Sequence, residues 1–224
     1  MLHGKISALK GELIKYANFT EKMIEKSIAG LLEKDAALLS GIIEKDEHVA
    51  NSTEIKLDGL CTTLIAQYEP RAKELRTILM ILKMNNDLER IADHAVNIAE
   101  SGLFLIDKPQ VKPLIDIPRM ADIVMGMIKD SIDSFIGEKP ELARGVCRRD
   151  SQVDDLRDQI LRELITYMSS DPSTIERAIH LLRISSNLER LGDLSTNICE
   201  EVVYAVEGTV IKHHLQDDER RGTA

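Results

Sequence analysis

One segment of this chain occurs twice. Residues 86–100 read NDLERIADHAVNIAE, and residues 186–200 read SNLERLGDLSTNICE, an offset of 100. The shared positions are Leu88/Leu188, Glu89/Glu189, Arg90/Arg190, Asp93/Asp193, Asn97/Asn197, Ile98/Ile198 and Glu100/Glu200. A second echo sets Gly41-Ile42 and Asp46-x-x-Val49 against Gly145-Val146 and Asp150-x-x-Val153, at an offset of 104. Two matched segments per half, in the same order, mean that a whole folding unit was duplicated. The period is too long for a solenoid, whose repeats run to roughly 20–50 residues. It suits two bundles.

The segments around the repeats place apolar residues at steps of three and four, the helical period. Turn signals divide them at Glu33-Lys34, Glu69-Pro70, Gly137 to Pro140 and Ser169 to Pro172. Proline is favoured just inside a helix start, where its missing N–H would have no intrahelical partner. Asp171-Pro172 followed by Ser173 to Glu176 reads as a capped start. Six helices are predicted, over 5–32, 35–67, 71–105, 116–136, 140–168 and 172–206. The most linker-like stretch is Asp107 to Pro113, so two domains are expected, 1–107 and 108–224, each a three-helix bundle. The fold class is all-α. Aromatics are only 3% and Trp is absent, which suits helix interfaces filled by Leu, Ile, Met and Ala better than a β-sandwich. Met80, Met84, Met120, Met125 and Met127 are expected core fillers. The tail after Gly208 is expected to fray.

The net charge is −9, which argues against a nucleic-acid partner, since that binding needs Lys and Arg to displace counterions. No apolar run approaches the roughly 18–20 residues of a membrane span. The N-terminus, MLHGKISALKGELIKYANF, lacks the apolar core of a signal peptide, so a cytoplasmic location is expected. Cys61, Cys147 and Cys199 are single and unpaired by spacing. They read as buried helix-face thiols in a reducing compartment.

Each residue of an ideal helix turns about 100°. In the third helix Ile81, Met84, Leu88, Ile91, Ala95 and Ile98 form one apolar stripe. Glu89, Asp93, Asn97 and Glu100 fall within roughly 80° of one another, nearly opposite it. The sixth helix repeats this with Leu181, Ile184, Leu188, Leu191 and Ile198 inside and Glu189, Asp193, Asn197 and Glu200 outside. The apolar seam explains the fold, and the acids take no part in it. A solvated charged face is the ordinary fate of such acids. Yet such a face mixes Glu with Lys, because like charges at i,i+4 repel. A bound cation would turn that repulsion into coordination. The all-oxygen donor set points to magnesium, manganese, calcium or an iron-oxo cluster, with zinc a weaker fit.

One helix face does not enclose an ion, so a neighbouring helix should contribute. Asp150, Asp154 and Asp158 run at i,i+4,i+8 along the fifth helix. Their first-half counterparts are Asp46, Ala50 and Glu54, and Ala50 has no ligating group. Asp46 and Asp150 also lie close to their helices' apolar stripes, so each reads equally as an acid paired with a core Arg or capping a helix. His94 and His48 adjoin acids, but neither is repeated, and both read as surface histidines. His213 and His214 in the tail could mimic a weak metal site. There is no Gly-rich phosphate loop, no GxSxG and no HExxH. The Glu-x-x-His pairs of a di-iron bundle are absent too.

The segments DLERIADHAVNIAE and NLERLGDLSTNICEEVVY, with their upstream Asp-x-x-Val helices, resemble the PhoU family of phosphate-system regulators over roughly residues 5 to 210. The resemblance implies two three-helix bundles with pseudo-twofold symmetry and surface metal clusters of iron, zinc, manganese or magnesium. On this chain the motifs fall on Glu89 and Asp93, on Glu189 and Asp193, near Asp46, and near Asp150 and Asp154. Ala50 departs from the pattern, where a polar residue is usual. The resemblance further implies a negative regulator of phosphate-starvation signalling. Its partners would be the ATPase subunit of a phosphate ABC transporter and a sensor histidine kinase. Such a protein would be a cytoplasmic homodimer, peripheral to the membrane complex and not inserted. A metal-dependent enzyme or metal store is the competing reading, and a metal-free acidic docking scaffold is a third.

Overall fold

The computed structural model describes residues 2–208 and 211. Six helical rods follow one another. The first is α1 (Leu2–Glu33). The second joins α2 (Ala36–Gly41), a π turn (Ile42–Asp46) and α3 (Glu47–Tyr68). The third is α4 (Lys73–Ile106) and the fourth α5 (Asp116–Gly137). The fifth comprises α6 (Pro140–Cys147) and α7 (Asp150–Ser170). The sixth is a 3₁₀ turn (Pro172–Thr174) running into α8 (Ile175–Glu207). The rods match the predicted helices to within a few residues. His213 and His214 lie outside the described residues.

The two interruptions fall at matching places in the repeat. Where the first half widens into a π turn ending at Asp46, the second half breaks its helix between Cys147 and Asp150. Side-chain caps mark two further helix starts. The Asp35 carboxylate accepts from the Leu38 N–H at 2.9 Å, and the Asp171 carboxylate accepts from the Ser173 N–H at 3.0 Å. Each satisfies an N–H that the first turn leaves without an intrahelical acceptor. Lys34 and Glu138, at φ 58° and 48°, turn the chain at equivalent points of the two halves.

α1, α2–α3 and α4 pack as one three-helix bundle, and α5, α6–α7 and α8 as the other. The halves meet along α4 against α8, with α1 also touching α5. The apolar stripes therefore merge into one continuous core. Ile81, Met84, Leu88, Ile91, Ala95 and Ile98 of α4 are fully buried, as are Ile184, Leu188, Leu191 and Ile198 of α8. Met84, Met120 and Met127 are core residues, with Met80 and Met125 at its edge. The linker is pinned by buried Lys112, which pairs with Asp116 at 2.7 Å and with Glu163. No helix among the described residues is long and apolar enough to cross a membrane.

Candidate functional site

The packing of α4 on α8 sets the two repeated segments side by side. Asp93 and Asn97 of α4 and Asp193, Asn197 and Glu200 of α8 line one open groove of about 690 Å³, joined by Asp150 at the start of α7. Arg90 and Arg190 stand in the same groove. An adjoining groove of about 580 Å³ is lined by Glu54, Asp58, Asp87, Glu201 and again Asn197 and Glu200. The acids of both halves thus border one continuous surface along the junction. Glu100 is exposed on α4 but lines neither groove.

In the first half, Glu89 faces Glu54 of α3. Partial desolvation, then the Asp93 and Glu54 charges, raise the Glu89 carboxyl above its ordinary range, with Arg90 opposing. Glu54 is raised too, by desolvation and then by Asp58. Asn85, fully buried, donates to the Glu54 carbonyl and to the Asp58 carboxylate, both at 2.9 Å. It fixes α3 against α4. Behind the acids lies Tyr16 of α1, only 1% exposed, whose hydroxyl has no hydrogen-bond partner. Burial raises its phenol, and the charges of Glu89, Glu54 and Asp93 raise it further.

Asp46 takes a different place. Its carboxylate pairs with Lys26 of α1 at 2.7 Å. It is therefore the ion-paired acid that its position near the apolar stripe allowed, with a Lys as partner where an Arg was expected. Ala50 is fully buried. Glu54, rather than Asp46 or Ala50, is the α3 acid whose charge reaches Glu89.

In the second half, Asp154 of α7 faces α8. Desolvation and then Asp154 raise the Asp193 carboxyl, while Arg190, Arg90 and His94 oppose the rise. Glu189 is likewise raised, by desolvation first and then Asp193, with Arg157 opposing and Asp154 adding. A Cβ on Gly192 would lie 3.4 Å from an Asp150 carboxylate oxygen, so the small residue lets α7 come in close to α8. Asp158 is turned to Arg157, at 3.0 Å.

One expectation needs correction. His94 is not a surface residue. It is 8% exposed, and its Nδ1 lies 2.7 Å from the Asn187 side-chain oxygen of the other half. All three cysteines are free, Cys61 and Cys199 buried and Cys147 partly exposed. Cys61 is buried alone on α3, and burial pushes its thiol up to about 12.

The grooves and their margins hold hard oxygen donors, of which Glu54, Glu89, Glu189 and Asp193 are raised by desolvation first and by neighbouring acids second, and the buried Tyr16 hydroxyl near Glu89 lacks a partner. That donor chemistry fits a hard cation. Among the described residues, no three His, Cys, Asp or Glu side chains are already gathered tightly enough to hold one. Holding a cation would require the exposed carboxylates to swing inward. Glu54, Asp58, Tyr16 and Glu201 extend the site beyond its sequence-based list. Glu54 had one signal, its alignment with Asp158.

The PhoU domain pattern matches residues 13–102 and again 117–202, so both halves carry it. The chain belongs to the PhoU family. It is 36% identical to the phosphate-specific transport system accessory protein PhoU homolog of Aquifex aeolicus, covering 96% of this chain and 98% of that one. It is 35% identical to homolog 2 of Thermotoga maritima, covering 95% and 90%. The crystal structure of PhoU from Pseudomonas aeruginosa superposes with a TM-score of 0.89 at 30% identity, covering 93% of this chain and all of that one. The doubled PhoU domain accounts for the internal repeat and for the pair of acidic segments along the junction.

Proposed function

We propose that this chain is a non-enzymatic regulatory accessory of phosphate uptake. It would link the ATPase subunit of a phosphate ABC transporter to a sensor histidine kinase and lower the kinase's output when phosphate is plentiful. The observation that carries this reading is the doubled PhoU domain over nearly the whole chain, shared with relatives named as accessory proteins of phosphate-specific transport. Binding is the whole of the mechanism. The junction between the halves offers two long grooves lined by charged side chains to a partner. The test is a phosphate-starvation reporter in cells lacking the chain, with affinity capture of the ATPase subunit. The reporter should stay on in phosphate-rich medium without the chain and be repressed when it is restored. An unchanged reporter with no capture of the ATPase contradicts the reading.

We propose further that iron, manganese, magnesium or zinc binds the two acid clusters. Glu54, Glu89 and Asp93 would hold it in the first half, and Asp154, Glu189 and Asp193 in the second, with Asn97, Asn197, Glu200 and Asp150 at the groove between. A cation there would offset the burial and then the like charge that raise Glu54, Glu89, Glu189 and Asp193, and would fix α4 and α8 for a partner. The competing reading, a metal-dependent enzyme or metal store, predicts phosphatase turnover or many ions per chain. Assay of metal-loaded protein separates the two. A cytoplasmic homodimer peripheral to the transporter belongs to the same proposal, and light scattering of the purified chain tests the dimer.

A further inference from the structure

A cavity outside the acidic grooves has the opposite charge. It holds about 170 Å³ and lies between α1, α4, the end of α5 and the end of α8. Lys10 of α1 and Lys73 and Arg76 of α4 line it, and Glu138, just past α5, is its one acid among the described residues. Three cations to one carboxylate leave two positive charges in excess, in a chain of net charge −9. The Glu138 carboxylate reaches both ammoniums, with one oxygen 3.8 Å from Lys10 and the other 3.2 Å from Lys73. Two lysines from different helices thus already converge on one small oxyanion. The Arg76 guanidinium is exposed and has no ion pair among the described residues. One flank of the cavity is apolar, with Met80 partly buried and Val206 42% exposed. The repeat does not dictate this set. An offset of 100 puts Ser173 and Glu176 where α4 has Lys73 and Arg76.

We propose that this cavity binds a small phosphate monoester, a dianionic oxyanion head carrying an apolar group. The charge excess selects a dianion. Two ammoniums that share one carboxylate suit a single compact head with several oxygens, where a dicarboxylate would hold its charges apart. The head takes the place of the Glu138 carboxylate between Lys10 and Lys73. The planar Arg76 fork adds two parallel hydrogen bonds to a further edge of the head. Glu138, about half exposed, turns to solvent. The apolar group lies on Met80 and Val206 and removes their surface from water. Binding makes and breaks no covalent bond. None of the carboxylates proposed to hold metal takes part, so this site stands or falls apart from that reading.

The test is calorimetric titration of the full-length protein with phenyl phosphate, phenyl sulfate and inorganic phosphate. Chelator keeps metal out of the acidic grooves, and low salt limits screening of the exposed cations. A pH of about 8 keeps the monoester dianionic, since its second ionisation lies near 6. Phenyl phosphate should saturate one site per chain. Phenyl sulfate has the same shape with one charge fewer and should bind about tenfold more weakly. Inorganic phosphate keeps the charge without the ring and should also bind more weakly. Lys73→Ala/Arg76→Ala should abolish binding. Glu138→Gln removes the competing carboxylate and should tighten it several-fold. Arg183→Ala, an exposed cation of α8 outside the cavity, should change nothing. Vesicles bearing phosphatidic acid, a monoester on a lipid, should not sediment the protein. No saturation by phenyl phosphate up to about 10 mM would overturn the proposal. So would equal affinity for phenyl sulfate or inorganic phosphate, or vesicle binding that depends on Lys73 and Arg76. The comparison of three ligands on wild type stands even if a variant fails to fold.

Discussion

The two halves carry the same four signature positions on α4 and α8 but answer them differently from the helix opposite. In the second half, α7 sends Asp154 toward Glu189 and Asp193, and Asp150 comes in against Gly192. In the first half the equivalents are spent elsewhere. Asp46 is held by Lys26, Ala50 is packed in the core, and Glu54 alone faces Glu89, with the partnerless Tyr16 hydroxyl behind. The packing shows a similar exchange. Leu39 fits between Gly30 and Gly102, where a Cβ would meet it at 2.7 and 3.1 Å. At the equivalent positions of the second half the large residue is small and the small ones are larger, namely Ala143 with Ser134 and Val202. Duplication preserved the helix that carries the acids, while the facing helix diverged.

The largest effect should come from forcing the halves to match. Ala50→Asp places a carboxylate at a fully buried position. Burying an unpaired carboxylate should cost about 3 kcal/mol without metal. Urea unfolding checks this, and manganese should recover part of the loss if the added acid joins the cluster. An unchanged midpoint with and without manganese would mean the side chain escapes to solvent. Next in size is Gly30→Ala, which drives a methyl into Leu39 and should cost about 2 kcal/mol. Adding Leu39→Ala, as in the second half, should make the pair less costly than the sum of the two singles, since the residues touch.

Tyr16→Phe removes a buried hydroxyl that has no partner, so the metal-free protein should gain up to about 1 kcal/mol. If the hydroxyl faces a bound ion, the same change should weaken metal uptake in the first half only. The smallest expected effect is on pH dependence. Glu89, Glu189 and Asp193 are raised in the folded state. The fold therefore binds more protons than the unfolded chain just above the ordinary carboxyl range of about 4. Their share of stability is full below that range and is lost as pH rises through the raised values. Glu12, lowered to about 2 by Lys15 and Lys56, acts oppositely, and so do Glu163 and Glu207. The clean readout is a difference. In chelator, Asp193→Asn should gain stability relative to wild type as pH is raised from about 4 to about 7. A constant difference would mean that Asp193 titrates normally.

Much of this architecture is legible in the chain. The doubled segment and its three-four spacing specify six rods in two bundles, because a helix's buried face is written in its own period. What one helix writes about another is less legible. Aligning Asp46 with Asp150 ignores the π turn, which ends at Asp46 while the second half breaks instead. His94 reads as exposed from its own helix and is covered only because α8 of the other half lies across it. Such contacts depend on how the two bundles dock, and neither copy of the repeat records that.

The central claim is that both acid clusters take up a cation, the second more tightly. The most direct test is elemental analysis of untagged protein purified without chelator, on wild type, Glu89→Ala/Asp93→Ala and Glu189→Ala/Asp193→Ala. Bound iron, manganese or zinc should be present in wild type, fall most in the Glu189/Asp193 variant, and fall less in the other. Metal-free protein in all three, even after reconstitution, would contradict the claim and leave the grooves as a docking surface of carboxylates alone.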